Sequence, residues 1–236
     1  MTPPNQLLLD LDRAASGPLL PYTREVALAR GDTVFDEGVM AGSIVFPEGA
    51  LLSAVAAMSD GRMVEVSSIG QDGAAGVLSC LTSAPEGCRT VVRISGPARI
   101  LPASILKIAA ERDEALRGVL LRSIQNRAVR SEQELACNAL HEVTGRLARW
   151  LLLACARTAA RRLLLTQDDM AVVLGVQRTT LNASAMYLRG LGAIRYSRGS
   201  LEVLDAARLE SAACECYRHL AGDLQPVGLC GNRQVA

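Results

Sequence analysis

The chain has 236 residues, of which 50% are hydrophobic and 21% charged, and its formal net charge is +1. This composition excludes a disordered or low-complexity protein, and the length suits two compact domains. No uncharged apolar run is long enough to cross a bilayer and the first residues lack a secretion signal, so we expect a cytoplasmic protein without a membrane partner. The seven cysteines lack a framework of even, close spacings, which favours reduced thiols over disulfides.

Short β-favouring runs alternate with turn residues in the N-terminal part of the chain. Ten glycines lie between Gly31 and Gly96 and separate these runs. The runs cover residues 33–35, 43–46, 51–58, 63–69, 90–94 and 98–101. Strands this short and this regularly interrupted predict an antiparallel β sandwich or jelly roll, which we place at residues 1–110.

A helical pattern follows, because residues 104–140 contain no proline and only one glycine, Gly118. One long helix or two helices in series would fit, and we assign residues 111–140 to a long helix. Its apolar positions recur at helical spacing. They are Leu116, Leu120, Ile124, Leu135, Ala139 and Val143. The stripe either packs on its own domain or forms a dimer seam. We favour the dimer seam, since a helix this long exceeds what one small sandwich can cover.

The C-terminal third differs from the rest in charge. Residues 1–140 carry a net charge of −3, whereas residues 141–220 carry +4. A helix is predicted over residues 142–157, with Trp150 in the core. We therefore assign a second, basic domain to residues 141–220 and a flexible tail to residues 221–236.

The most informative segment, residues 165–205, predicts a helix, a tight turn, a second helix and a hairpin. Thr166 and Asp169 have the spacing of a capping box, and Gly175 can adopt the positive φ of a sharp turn. The second helix would begin near Gln177. Three apolar residues would bury one face of it against the first helix. These are Leu181, Ala185 and Leu188.

The exposed end of that second helix predicts DNA binding. Gln177, Arg178, Thr179 and Asn182 would lie there, and such side chains can bond guanine, adenine or phosphate in a major groove. The runs 193–197 and 200–204, joined by Arg198 and Gly199, predict a wing. Arg195 and Arg198 on this wing would contact phosphates. A helix-turn-helix can also serve only as a packing or docking unit.

The order of strands, long helix and winged helix-turn-helix resembles the CRP/FNR family of bacterial regulators, most firmly over residues 146–205. The resemblance implies an α+β fold with an N-terminal antiparallel β jelly roll of the cyclic-nucleotide-binding type, a long dimerisation helix and a C-terminal winged helix-turn-helix. It also implies a homodimer that binds a pseudo-palindromic operator in double-stranded DNA, with RNA polymerase as a candidate partner. Arg178 and Thr179 would contact bases, while Thr166, Gln167 and Thr180 would contact phosphates.

The sequence departs from the family at two places. At position 183, where the best-known members have an arginine that reads the operator, this chain has Ala183. Cyclic-nucleotide-binding members carry a Gly-Glu-Leu turn whose glutamate binds the ribose, and an arginine that pairs with the phosphate. The matching candidate effector-binding residues here are Gly76, Val77, Leu78, Arg89 and Thr90. Valine cannot accept the ribose hydrogen bond, and Arg89 would either hold an anion or pair with a local carboxylate, so the effector stays unidentified.

No cofactor or metal is expected from the sequence. Oxygen-sensing members bind an iron–sulfur cluster mostly through cysteines near the amino terminus, whereas the first cysteine here is Cys80. His141 and His219 lie outside the predicted sandwich, which speaks against haem. Cys214, Cys216 and His219 are close in sequence, but residues two apart on a helix point away from each other and cannot readily share an ion.

Three other functions compete with DNA binding. An enzyme is not expected, because no catalytic constellation can be assembled from two histidines without a nucleophile elbow, a phosphate-binding glycine loop or a zinc-spaced ligand set. A protein-docking adaptor with a degenerate DNA-binding domain is one alternative. A regulator with a redox-sensing thiol at Cys80 or Cys88 is another.

Overall fold

The computed structural model describes residues 4–197 and 199–221. These residues form an N-terminal β sandwich, two helices in series and a C-terminal winged helix-turn-helix domain, as the sequence predicts. No helix within these ranges combines the length and the apolar character that a bilayer crossing requires.

The sandwich consists of two antiparallel sheets, ordered β1-β7-β3 and β2-β6-β4-β5. Its strands are β1 (Arg24–Leu28), β2 (Thr33–Phe35), β3 (Ser43–Pro47), β4 (Leu51–Ala57), β5 (Met63–Ile69), β6 (Arg89–Ile94) and β7 (Gly96–Pro102). Buried apolar side chains from both sheets, among them Val45, Leu52 and Val92, pack together. The ends of the predicted runs therefore agree with those of the observed strands to within a few residues. The sequence did not predict β1.

Two short helices pack at the edge of the sandwich, α1 (Gln6–Ala14) and α2 (Val77–Thr82). Asn5 caps α1, and its side-chain amide also donates to the carbonyl oxygens of Pro47 and Gly73 at 2.8 Å each. This buried asparagine therefore fastens the start of the chain to the sandwich. The sequence did not predict α1, because a nine-residue helix gives only a weak periodic signal.

The predicted helical segment is two helices in series, α3 (Ala103–Arg112) and α4 (Glu114–Leu140). Asp113 separates them: its backbone is extended, and its carboxylate accepts hydrogen bonds from the first backbone N–H groups of α4. An aspartate that caps the second helix therefore ends the first.

The predicted apolar stripe of α4 is in fact divided between two faces. Leu116 and Leu120 are fully buried in their own domain, in the cluster that contains Leu11 of α1. Leu135, by contrast, is 72% exposed, and Val143 belongs to the next helix. The apolar spacing therefore includes positions packed on the chain's own domain and positions left exposed, because helical spacing alone does not show which partner covers each face.

The C-terminal domain begins after a break at His141 and Glu142. Its elements are α5 (Val143–Thr158), β8 (Arg162–Leu163), α6 (Gln167–Leu174), α7 (Arg178–Gly190), β9 (Ile194–Ser197), β10 (Ser200–Val203), α8 (Ala206–Ala212) and α9 (Cys216–Leu220). Trp150 is buried in the core, as predicted, and its indole N–H also donates to Glu65 of the sandwich. The predicted tail lies outside the described residues from position 222 onward.

Candidate nucleic-acid interface

The amino end of α6 is fixed by the predicted capping box. Thr166 accepts a hydrogen bond from the backbone N–H of Asp169, and the Asp169 carboxylate accepts from the backbone N–H of Thr166. At the other end Gly175 has φ +61°, and a Cβ there would lie 2.9 Å from the Val64 side chain of the sandwich. Both the turn and the approach of β5 therefore require glycine at this position.

Helix α7 has one buried and one exposed face, and α6 packs against the buried one. Leu181, Ala185 and Leu188 are buried in the domain core, in agreement with the predicted spacing. The polar residues of the amino-terminal turn are exposed. They are Gln177, Arg178, Thr179, Thr180 and Asn182, with Ala183 beside them.

Gln167 is hydrogen-bonded to two other predicted site residues, Arg178 and Asn182. Its side-chain oxygen accepts from Nε of Arg178 at 3.2 Å, and its nitrogen donates to Oδ1 of Asn182 at 3.1 Å. We call Gln167, Arg178, Thr179, Thr180 and Asn182 the outer face. The Gln167 amide thereby holds Arg178 at the start of α7.

Asp168 is a neighbour of the outer face that the sequence analysis did not single out. Its carboxylate lies 3.6 Å from Nη1 of Arg178, and both side chains are largely exposed. An exposed pair of this kind is worth little and is easily exchanged for another anion. Asp168 directly precedes Asp169, the residue that completes the capping box, and this position in the sequence could have indicated it.

The wing is a three-stranded sheet ordered β8-β10-β9. Ser197 and Ser200 are paired at its tip, which fits the predicted two-residue turn. Arg195 is exposed and pairs with Glu202 on the adjacent strand at 3.3 Å. Arg198 lies outside the described residues.

The five predicted effector residues are not free to meet a ligand as a group. Val77 and Thr90 are buried, Leu78 is half exposed, and Arg89 pairs with Asp36 at 2.9 Å. Gly76 has φ +90°, and a Cβ there would lie 2.6 Å from the carbonyl oxygen of Ser43.

A cleft of about 1000 Å³ lies elsewhere, between α1, the turn after β5 and α4. Arg122, Arg127 and Arg130 line it on the α4 side, and Asp72 lines it on the sandwich side. None of the five predicted effector residues contributes to its wall. The cleft, which α4 lines on one side, and the predicted effector residues therefore lie at different parts of the sandwich.

The two candidate redox thiols are weakly acidic. Burial raises the pKa of Cys80, and burial together with Glu37 raises the pKa of Cys88. Because the thiolate is the reactive form, this environment disfavours reaction of either sulfur.

The opposite side of the C-terminal domain packs on the sandwich through polar groups. Asp169 pairs with Arg30 at 2.7 Å and with Arg93 at 3.2 Å. We call Trp150, Arg157 and Asp169 the inner face.

Arg157 of the inner face is almost fully buried. It pairs with Asp72 at 3.3 Å and donates to the Ser68 hydroxyl. Arg130 of α4 pairs with the same Asp72 oxygen, so one carboxylate joins the sandwich, α4 and α5. Burial opposes ionisation of Asp72, but Arg157 and Arg130 outweigh it and hold its pKa below the ordinary value.

Comparison with known proteins agrees with this architecture. Residues 145–212 match the model of the Crp-like helix-turn-helix domain. No curated protein sequence matches the chain. Many solved structures have a similar fold, and three of them match about four fifths of the chain.

TTHB099, a CRP-family transcriptional regulator from Thermus thermophilus, is 19% identical, with 81% of this chain and 99% of that chain covered and a TM-score of 0.66. FixK2 from Bradyrhizobium japonicum is 17% identical, with 81% and 98% covered and a TM-score of 0.66. CLP, a c-di-GMP-responsive global regulator from Xanthomonas campestris, is 16% identical, with 78% and 95% covered and a TM-score of 0.59. The resemblance indicated by the sequence is thereby confirmed: the chain has the fold of the CRP/FNR transcription regulators and carries their Crp-like helix-turn-helix domain.

Proposed function

We propose that the chain is a transcription regulator, not an enzyme, and that it binds duplex DNA with the amino end of α7 in the major groove. The observation that carries this proposal is the outer face. It presents a guanidinium, two amides and two hydroxyls at a helix start whose opposite side is buried. These groups match the acceptors and donors of base edges and phosphates.

Charge supports the same proposal. The +4 net charge of residues 141–220 belongs to the domain that carries the outer face. Arg195 is exposed on the wing beside it. Phosphate contacts of this kind release counterions, so binding should weaken steeply as salt is raised.

We propose further that the protein acts as a homodimer through α4. Helix α4 carries six residues that follow one another at alternating intervals of four and three positions. All six are exposed in the single chain. They are Leu121, Gln125, Ala128, Glu132, Leu135 and Ala139, which we call the α4 stripe. Spacing of this kind is that of a two-stranded coiled coil, and its polar members would set the register. A two-fold dimer would place its two α7 helices on half-sites about one helical turn apart.

DNA binding by this protein needs no cyclic nucleotide in our proposal. The position that supplies the ribose-binding carboxylate in cyclic-nucleotide-binding members is the buried, apolar Val77. Arg89 already has Asp36 as its partner. In this chain, the corresponding site therefore lacks the ribose contact, and its arginine pairs with a carboxylate of the chain itself.

The test is selection of bound duplexes from a randomised DNA pool by the purified protein without added ligand, at two salt concentrations. Recovery of a two-fold-symmetric site, lost at the higher salt, is the expected result. Recovery of no sequence under either condition would contradict ligand-free DNA reading and favour the docking adaptor. Repeating the selection with cyclic AMP separates a required nucleotide from the absence of DNA binding.

The dimer is tested by placing a charge in the α4 stripe. Leu135→Glu would set two carboxylates against each other and should shift the protein to monomer in sedimentation equilibrium. Leu140→Glu is the matched control: Leu140 is at least as exposed, but it lies about 140° further round the helix. Equal behaviour of the two variants would show that the dimer, if present, uses another surface.

A further inference from the structure

Four metal-binding side chains meet where α4 ends. Cys137 lies in the last turn of α4, and His141 is the residue that directly follows the helix. Cys214 lies in the connection between α8 and α9, and Cys216 is the first residue of α9. One sulfur or ring-nitrogen atom from each of the four lies within 4.8 Å of those of the other three.

This arrangement corrects one premise of the sequence analysis. Cys214 and Cys216 were expected to diverge as residues of one helix, but Cys214 precedes α9 and only Cys216 is helical. The turn directs both sulfurs to the same point. His219 is not part of the group; the histidine that joins it, His141, is 73 positions before Cys214 in the sequence.

Two of the distances between the four ligand atoms match those of one tetrahedral ion. Sγ of Cys137 lies 3.5 Å from Sγ of Cys214, and Sγ of Cys216 lies 3.5 Å from Nδ1 of His141. With metal–sulfur bonds of about 2.3 Å and metal–nitrogen bonds of about 2.0–2.1 Å, neighbouring ligand atoms of a tetrahedral zinc site are about 3.4–3.8 Å apart. A disulfide between Cys137 and Cys214 would not account for the close approach of Cys216 and His141.

Groups around the cluster have the placement of an outer shell. Nε2 of His141, the nitrogen that faces away from Cys216, lies 3.7 Å from a carboxylate oxygen of Glu215. The side-chain amide of Gln133 donates to Sγ of Cys216 at 3.1 Å. A carboxylate behind a metal-binding histidine and an N–H donor to a metal-binding sulfur both orient ligands and raise metal affinity.

Charge balance also favours a bound cation with thiolate ligands. Three thiolates and one divalent ion leave a net charge of −1, which needs a buried counter-charge. Arg149 of α5, whose charge acts on both Cys137 and Cys214, is almost fully buried. Its Nε has no hydrogen-bond partner, and its Nη1 has only a Glu134 oxygen at 3.6 Å. An incompletely satisfied guanidinium whose charge acts on two of the three sulfurs fits an anionic metal centre.

We propose that Cys137, His141, Cys214 and Cys216 bind one zinc ion as a structural site. The ligand set, three sulfurs and one imidazole with two buried cysteines, is the one zinc takes in closed structural sites. The ion joins the end of α4 to the segment after α8 across the break between α4 and α5. It therefore fixes the orientation of the DNA-binding domain on the long helix.

The test is the metal content of the full-length protein purified without chelator, followed by cobalt substitution. We expect one zinc per chain, and visible absorption bands of tetrahedral, thiolate-bound Co²⁺ after exchange. Cys216→Ser and His141→Ala should each lower zinc content at least tenfold, and the half-exposed His141 can be replaced without opening the core. Cys88→Ser is the matched control and should retain one zinc.

A second measurement separates the site from simple packing. Zinc should raise the thermal unfolding midpoint of the wild type but not that of Cys216→Ser. Glu215→Gln should keep the fold and weaken zinc affinity by about 10-fold or more. Wild-type protein that contains no zinc and gives no thiolate-bound cobalt spectrum would overturn the proposal, as would a Cys137–Cys214 disulfide found by mass spectrometry in the untreated protein.

Discussion

The outer and inner faces of the helix-turn-helix domain use polar residues in opposite ways. On the outer face the side chains are largely exposed, and their mutual contacts are ones that water or an anion can replace. On the inner face the charges are mostly buried and each has a defined partner in the sandwich. One domain can therefore keep a binding surface available while its polar groups on the other side hold it in place.

The inner face should give the largest effect. Asp72→Asn would leave Arg157, which is buried, and Arg130 without their shared carboxylate. Breaking a buried pair in this way costs about 3–5 kcal/mol. Urea unfolding measures the loss. Asp60→Asn, which breaks an exposed pair with Arg62, should leave the unfolding midpoint unchanged. Equal midpoints for the two variants would show that the inner face contributes nothing to stability.

The outer face should affect DNA binding without affecting stability. Arg178→Ala should weaken binding to the selected site by about 10- to 100-fold, or about 1–3 kcal/mol, if it bonds a base. Fluorescence anisotropy with a labelled duplex measures this change. Arg189→Ala removes an exposed arginine from the last turn of the same helix and should change affinity little. A similar loss in both variants would mean that the helix contributes charge alone.

Glu65 makes the inner face sensitive to pH. Burial, with repulsion from Glu134, raises the pKa of Glu65 above the value of about 4.5 expected in the unfolded chain. The folded state therefore holds this proton more tightly, so the contribution to stability is present below pH 4.5 and is lost as pH rises through the raised pKa. Trp150 donates to this carboxyl at 2.9 Å, a bond that glutamine can still accept.

Glu65→Gln should consequently be more stable than the wild type at pH 8, by on the order of 1 kcal/mol, with the difference shrinking towards pH 5. Denaturant unfolding at several pH values provides the measurement. Glu210→Gln, at an exposed site, should match the wild type throughout. A difference in unfolding free energy between Glu65→Gln and the wild type that stays constant across this range would contradict titration of Glu65.

The smallest expected effect belongs to the wing. Arg195→Ala should reduce the slope of log affinity against log salt by about 1 and lower affinity a few-fold, without changing the preferred bases. Arg62→Ala, at an exposed arginine of the sandwich, should leave the slope as it is. A changed base preference in Arg195→Ala would mean that the wing enters a groove.

Features with strong local signals were predictable from the sequence. The capping box of Thr166 and Asp169 and the turn at Gly175 follow from residue chemistry at fixed spacing, and both are present. The strands of the sandwich and the buried face of α7 follow from periodicity. These features sufficed for the fold and for the position of the outer face.

Features that depend on distant parts of the chain were not predictable in the same way. The partners of Asp169 are more than 75 positions away, and the zinc ligands we propose come from two segments about as far apart. The two faces of α4 could not be separated, because apolar spacing does not distinguish a residue packed on α1 from one left exposed. Sequence patterns report local structure, and these contacts are tertiary.

Asp169 has two roles at once, because its one carboxylate both closes the cap of α6 and neutralises two arginines of the sandwich. Were the two domains to separate, the cap could remain intact while Arg30 and Arg93 lost their counter-ion. The sandwich would then present two uncovered cations beside a domain that is itself basic. Separation of the two domains would therefore also strengthen the attraction of the protein for a polyanion.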